Sequence, residues 1–173
     1  MIKAIVAVDN KWGIGRNNHL LADIPEDMEF FKFITTGSTV IMGMNTFRSM
    51  YCKPLPNRKN IVICRTDDVN PHNEKDLTFM NITEAKYFLQ KNYNNNIFII
   101  GGSATYNIFL EFCDLVFVTK IQDDLKADTF FNNLDEDFRW KCISKMSPKE
   151  TKSGLTIQFC KYERTTNDCF GRM

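Results

Sequence analysis

Ile99-Ile100-Gly101-Gly102-Ser103-Ala104-Thr105-Tyr106 is a β-branched apolar run that stops at two glycines and continues in a helical pattern. Strand, tight turn, helix is the repeating unit of a parallel sheet covered on both faces. The turn is also an anion site in outline. Free amides and the positive end of a helix dipole suit a pyrophosphate, and glycine lets the ligand approach the backbone. Val40-Ile41-Met42-Gly43-Met44-Asn45-Thr46-Phe47 repeats the pattern, with Thr46 adding a hydroxyl at the helix start. Neither stretch has the three-glycine Rossmann spacing, and either one alone is more often only a tight strand-to-helix connection. Two of them in one sheet are what a dinucleotide lying across the carboxyl ends of parallel strands requires.

Working outward, Ile2 to Val8, Thr39 to Met42, Asn60 to Cys64, Asn96 to Ile100 and Leu115 to Thr119 read as interior strands. Helical patterns lie between them, in the segment opened by Pro25 and over Asn45 to Met50, Thr83 to Gln90 and Ser103 to Phe112. Phe138 to Ile143 and Leu155 to Tyr162 alternate apolar and polar residues, and Lys152-Ser153-Gly154 supplies turn chemistry between them. They predict an antiparallel hairpin at a sheet edge. The expected architecture is α/β: one domain over residues 1–164, with a central, mostly parallel sheet, flanking helices and the C-terminal hairpin. Asn92 to Asn96 and Asp67 to Asp76 read as exposed loops, and residues 165–173 as a flexible tail.

With 173 residues, 43% of them hydrophobic and 15 of them Phe, the chain can build one substantial core. A net charge of +1 from 22 basic and 21 acidic residues gives no field for nucleic acid or an anionic membrane, so any phosphate binding must be local. The N-terminal apolar run is too short for a signal peptide or a membrane span, which predicts a cytoplasmic location. Six scattered cysteines without a Cys-x-x-Cys pair, and two histidines, give no metal-ligand spacing; free thiols are the expectation.

In Ala22-Asp23-Ile24-Pro25-Glu26-Asp27-Met28-Glu29-Phe30-Phe31-Lys32-Phe33-Ile34, Asp23 reads as the N-cap and Pro25 as a first-turn residue. Ile24, Met28, Phe31 and Ile34 form the apolar stripe, with Glu26, Glu29 and Lys32 opposite. Asp27 falls inside the stripe. An isolated buried carboxylate must be paired, hydrogen-bonded, solvated by a cleft or kept protonated. A cleft for a cationic or proton-accepting ligand would supply the reason, and so would a helix-start acid favoured by the macrodipole. The glycine-bearing loop Asp9 to Asn18 leads into no immediate helix and reads either as a mobile cover beside a ligand or as an ordinary connection.

The ordered set of Ile5-Val6-Ala7-Val8, Gly13-Ile14-Gly15, Ile24-Pro25-x-Asp27 with Phe31-Lys32, Val40 to Phe47, Pro54-Leu55-Pro56-Asn57-Arg58-Lys59-Asn60, Ile99 to Tyr106, Thr119 and Ala127-Asp128-Thr129-x-Phe131 resembles the dihydrofolate reductase family over nearly the whole chain. The resemblance implies NADPH-dependent reduction of dihydrofolate, in a monomer that also binds antifolates. It makes Asp27 the carboxylate that holds the pterin edge and supports protonation at N5. Thr119 would bridge to that edge. Ile5, Val6, Ala7, Ile100 and Tyr106 would line the pterin pocket, with Phe31 and Lys32 beside it. Met28, Met50 and Leu55 would shape the route to the aminobenzoyl group, and Arg58 would clasp the glutamate α-carboxylate. The cofactor would lie along Gly43, Met44, Asn45 and Thr46 and along Gly101, Gly102, Ser103, Ala104, Thr105 and Tyr106, with Ile100 also in contact. Ala7 and Ile14 would meet the carboxamide, Gly15 and Leu20 count among the cofactor residues, and Cys64 and Arg65 would stand at the adenosine 2′-phosphate.

The family pattern is broken most seriously just before the Pro25 helix, and Met44 and Ala104 stand where bacterial members often supply further cations. Leu20-Leu21-Ala22 stands where most members have Leu-Pro-Trp, so the pocket is either larger and wetter or closed by another residue. Two alternatives follow: a same-fold reductase acting on another heterocycle, such as a ribosylaminopyrimidine of riboflavin synthesis, and a weakly catalytic folate- or dinucleotide-binding module.

Overall fold

The computed structural model describes residues 1–65 and 75–165. Its centre is a nine-stranded sheet built from β1 (Ile2–Val8), β4 (Thr39–Gly43), β5 (Lys59–Ile63), β6 (Leu77–Met80), β7 (Ile97–Ile99), β8 (Leu115–Ile121), β10 (Trp140–Lys145), β11 (Lys149–Glu150) and β12 (Thr156–Arg164). The order is β10-β12-β8-β1-β7-β4-β5-β6, with β11 on β12. β8, β1, β7, β4, β5 and β6 run parallel, and β12 joins β8 antiparallel. This is the expected α/β architecture.

The C-terminal hairpin differs in detail. Its two long strands do pair, Cys142 opposite Tyr162, with a bulge between Cys142 and Ser144. The Lys152-Ser153-Gly154 turn, however, closes β11 onto β12, where the Thr151 amide and hydroxyl both donate to the Leu155 carbonyl at 2.8 Å. A two-residue strand carries no alternation by which it could have been recognised. Of the segment expected to be a tail, Thr165 is tied down, its amide donating to the Arg139 carbonyl at 2.9 Å. Residues 166–173, and most of the loop expected at 67–76, lie outside the described residues.

A small second sheet of β3 (His19–Leu20), β2 (Gly13–Arg16) and β9 (Thr129–Phe130) was not foreseen. It turns the glycine-bearing segment after β1 into a paired strand. Helices α1 (Pro25–Thr35), α2 (Met44–Ser49), α3 (Ile82–Lys91) and α4 (Ser103–Phe109) occupy the predicted places, α4 ending in a 3-10 turn at Leu110–Phe112. Alternation along β1 divides the core. Ile2, Ala4, Val6 and Val8 face a cluster with Tyr106, Phe109 and Trp140, whereas Ile5 packs with Val40, Met42, Phe47 and Phe98 on the side that carries α1.

Candidate active site

The two glycine turns follow the carboxyl ends of neighbouring strands, β4 and β7, and interlock. The Gly43 amide donates to the Gly101 carbonyl at 2.7 Å, and the Ile100 amide to the Ile41 carbonyl at 2.9 Å. A Cβ on Gly43 would lie 2.6 Å from Thr105 Oγ1. Since Thr105 is buried, only glycine fits at 43. A Cβ on Gly102 would in turn sit 3.4 Å from Thr46 Oγ1. Gly43 caps α2 and Gly102 caps α4, neither with a side-chain hydrogen bond, so the first-turn amides keep their capacity for an acceptor. Met44, Thr46, Gly102 and Ser103 are half-buried around the junction, and Asn45 and Ala104 are exposed.

Tyr106 lies under this surface. It is buried, and its hydroxyl donates to the Ile5 carbonyl at 2.6 Å. Burial, with the nearby Asp27 charge, raises its pKa far above the ordinary phenol range, which keeps it a neutral prop for β1. Val6 packs into the core on the other face of the sheet, so its side chain does not line this cleft. Cys64 is likewise buried, its thiol directed at the Met80 carbonyl 3.7 Å away, whereas Arg65 is exposed. Leu20 is exposed, and Ile14 packs partly against the core that holds Trp12.

Helix α1 brings Asp27 to the face of β1 and β8 where Ala7 and Thr119 are register partners. The expected Asp23 cap is absent. Ile24 is the N-cap, without a side-chain hydrogen bond, and Pro25 sets the first helical residue. The buried Ile24 pulls this end into an apolar cluster with Ile121 and Ile157, and packing therefore fixes the helix start in place of a cap. Burial pushes the Asp27 carboxyl above the ordinary carboxylate range, and the Thr119 hydroxyl beside it pulls the other way. Thr119 Oγ1 is itself buried without meeting the geometry of a full hydrogen bond. The site thus holds a desolvated acid and an under-used hydroxyl. Desolvation outweighs the hydroxyl, the environment of an acid whose protonation a ligand can control.

The other stripe residues are only partly as expected. Phe31 and Ile34 are half-buried against the cluster containing Ile5, as are Met50, Leu55 and Ile100. Met28 is 46% exposed, and Phe30, which did not stand out in the sequence, packs against Phe159 at 4.6 Å between ring centroids. Glu26 is half-buried, and its Oε1 accepts the Lys152 amide at 3.0 Å. Lys32 is exposed.

Arg58 is 5% exposed. Its Nε donates to the Pro56 carbonyl at 3.1 Å and its Nη1 to Thr35 Oγ1 at 2.9 Å, and the guanidinium lies 5.7 Å from the Phe31 ring centroid. Thr35 in turn donates to the Phe31 carbonyl at 2.7 Å. Among the described residues no acid pairs with this guanidinium, and burial lowers its pKa. The cation is thus buried on neutral acceptors that leave its charge uncompensated. Two supports had no role foreseen from the sequence. Thr35 is one. Asn60 is the other: its amide donates to the Leu55 and Arg58 carbonyls at 3.0 and 2.8 Å, and its Oδ1 accepts the Leu55 amide at 2.9 Å, bracing the whole loop. Thr35 meets Arg58 from another element, whereas Asn60 acts within its own 54–60 motif.

The dihydrofolate reductase family model matches residues 1–164. The chain belongs to the dihydrofolate reductase family. Curated family members include a dihydrofolate reductase of Bacillus subtilis (strain 168), 32% identical over 99% of both chains, and one of Staphylococcus haemolyticus, 34% identical over 94% of this chain and 95% of that one. A solved family member, the dihydrofolate reductase from Enterococcus faecalis complexed with NADP(H) and RAB-propyl, is similar in structure, with a TM-score of 0.80 at 28% identity, covering 95% of this chain and 96% of that one. The family's motifs are thus carried by one continuous fold.

Proposed function

We infer that the protein reduces 7,8-dihydrofolate to 5,6,7,8-tetrahydrofolate with NADPH. The observation that carries this reading is a desolvated acid, Asp27, at one end of a helix and at the other a buried guanidinium, Arg58, held by Thr35 and paired with no acid among the described residues. Asp27 and Thr35, the residue that holds Arg58, are separated by eight positions, about 12 Å of helix. That span suits a ligand with a polar ring edge at one end and a carboxylate at the other. The interlocked glycine turns fit a pyrophosphate, because a side chain at 43 would collide with Thr105 and the first-turn amides have no side-chain cap. They would hold NADPH together with Thr46 and Ser103, with Arg65 at the 2′-phosphate.

When bound, NADPH supplies the hydride that passes from nicotinamide C4 to pterin C6. The chain's own residues do the rest. Asp27 accepts hydrogen bonds from N3 and the 2-amino group and biases the ring toward protonation at N5, the proton coming from water. Thr119 joins that edge with its free acceptor capacity. Phe31, Ile5 and Ile100 exclude bulk water from the ring, and Arg58 fixes the far carboxylate, so that C6 is aligned before transfer. Antifolates presenting a protonated amidine-like edge would pair with the same carboxylate.

We further read the chain as monomeric and cytoplasmic, with neither nucleic acid nor membrane as partner; its near-zero net charge supports the absence of those two partners. No helix among the described residues is long and apolar enough to cross a membrane. Ala22, half-buried beside Ala7 and Leu125, favours one second reading, a same-fold reductase of a different heterocycle. The test is NADPH oxidation with dihydrofolate together with antifolate titration. Turnover blocked by the antifolate supports the first reading; binding without turnover supports a binding module; neither supports the second reductase.

A further inference from the structure

Asp9 is a buried carboxylate, 3% exposed, with no part in the chemistry above. It follows β1 directly and stands between the strand that carries Ala7 and the one that carries Ile14 and Gly15. Its Oδ1 accepts the amides of Lys11 at 2.9 Å and Gly13 at 2.8 Å, and its Oδ2 accepts the Leu125 amide at 3.2 Å. The first two bonds close a local turn. The third crosses to the segment that follows β8, more than a hundred residues along the chain. The same seam is tight elsewhere. A Cβ on Gly13 would lie 2.2 Å from the Ala127 Cβ and 2.9 Å from Asp9 Oδ1, and the Asn10 amide donates to the Asp123 carbonyl at 2.9 Å. Strands of four and two residues hold little by their own pairing, so the position of β2 depends on this seam together with the bonds from the Asp128 amide to the Gly15 carbonyl at 3.0 Å and from the Asn17 amide to Asp128 Oδ2 at 2.7 Å.

We propose that Asp9 is a positioning residue for the reaction, locking the Gly13–Arg16 strand to the 123–127 segment and so fixing the surface that receives the nicotinamide end of the cofactor. The proposal rests on the functional reading above. Asp9→Asn separates its two kinds of bond. Asparagine has one acceptor oxygen, which can keep both local amides, but its NH2 then faces the Leu125 N–H. The crossing bond is lost and the local turn is spared.

The experiment compares full-length wild type and Asp9→Asn by titration with NADPH, by titration with a 2,4-diaminopyrimidine antifolate in the absence of cofactor, and by thermal melting. The expected result is a rise in Kd for NADPH of about tenfold, the effect of one charge-assisted hydrogen bond, with the antifolate Kd changed by less than about twofold. A lowered Tm with NADPH affinity unchanged, or equal weakening of both ligands, would overturn the proposal. Should Asp9→Asn fail to fold, Gly13→Ala opens the seam from its other side, and adding Ala127→Gly removes the closest collision. NADPH affinity should fall in the single variant and stay below wild type in the double one, where the new Cβ still meets Asp9 Oδ1 at 2.9 Å; NADPH affinity unchanged in the single variant overturns the proposal. Wild-type protein that binds NADPH without oxidising it in the presence of dihydrofolate would instead overturn the functional reading, leaving the seam to be judged by the titrations.

Discussion

Replacing Arg58 with glutamine should lower kcat/KM for dihydrofolate by about a hundredfold, the value of two charge-assisted hydrogen bonds at about 1.5 kcal/mol each. The guanidinium spends its Nε on Pro56 and its Nη1 on Thr35 and rests on the Phe31 ring. It is therefore pre-set in one orientation, with remaining N–H groups for a carboxylate. Glutamine can satisfy neither the charge nor the fork. Lysine keeps the charge without the fork, and should lose about tenfold. Steady-state assays at saturating NADPH should compare dihydrofolate with a dihydropterin lacking the aminobenzoylglutamate arm. The shorter substrate should respond equally to wild type and variants, since it has nothing for Arg58 to hold. An equal loss with both substrates would refute the assignment and make Arg58 a brace of the 55–60 loop; no loss with dihydrofolate would refute it outright.

Three further outcomes follow from the geometry. Burial raises the folded-state pKa of Asp27, so its contribution to stability is full below its unfolded value, about 3.9, and is lost as pH rises through the folded value; Asp27→Asn should therefore melt higher than wild type at neutral pH and converge with it in acid, and parallel Tm–pH curves would contradict this. Gly43→Ala should weaken NADPH by about tenfold or more, because the new Cβ meets buried Thr105, and Thr105→Ala should restore part of the loss in a double-variant titration. Ala22→Trp should raise kcat/KM for dihydrofolate; an unchanged or lower value would show that the small side chain is no catalytic defect.

The sheet was legible because the parallel strands are buried on both faces and so read as continuous apolar runs. The glycine turns were legible because backbone approach restricts residue type at 43. What could not be read depends on distant packing or on elements too short to show a period. Strands β3, β9 and β11 have two residues each. Asp23 has cap chemistry, yet the burial of Ile24 sets the helix start. Val6 matched the family position, although alternation along β1 turns its side chain to the other core. Thr35 had no signal of its own, because its role comes from meeting Arg58 from another element, and Asn60 stood in the 54–60 motif without its bracing role being foreseen.

The most direct test is the rate of NADPH oxidation with dihydrofolate at neutral pH, measured on wild type and Asp27→Asn side by side. Turnover by wild type, with loss of most of that rate in the folded variant, is the predicted result. Full activity in Asp27→Asn, or no dihydrofolate-dependent oxidation by the wild type, would contradict it.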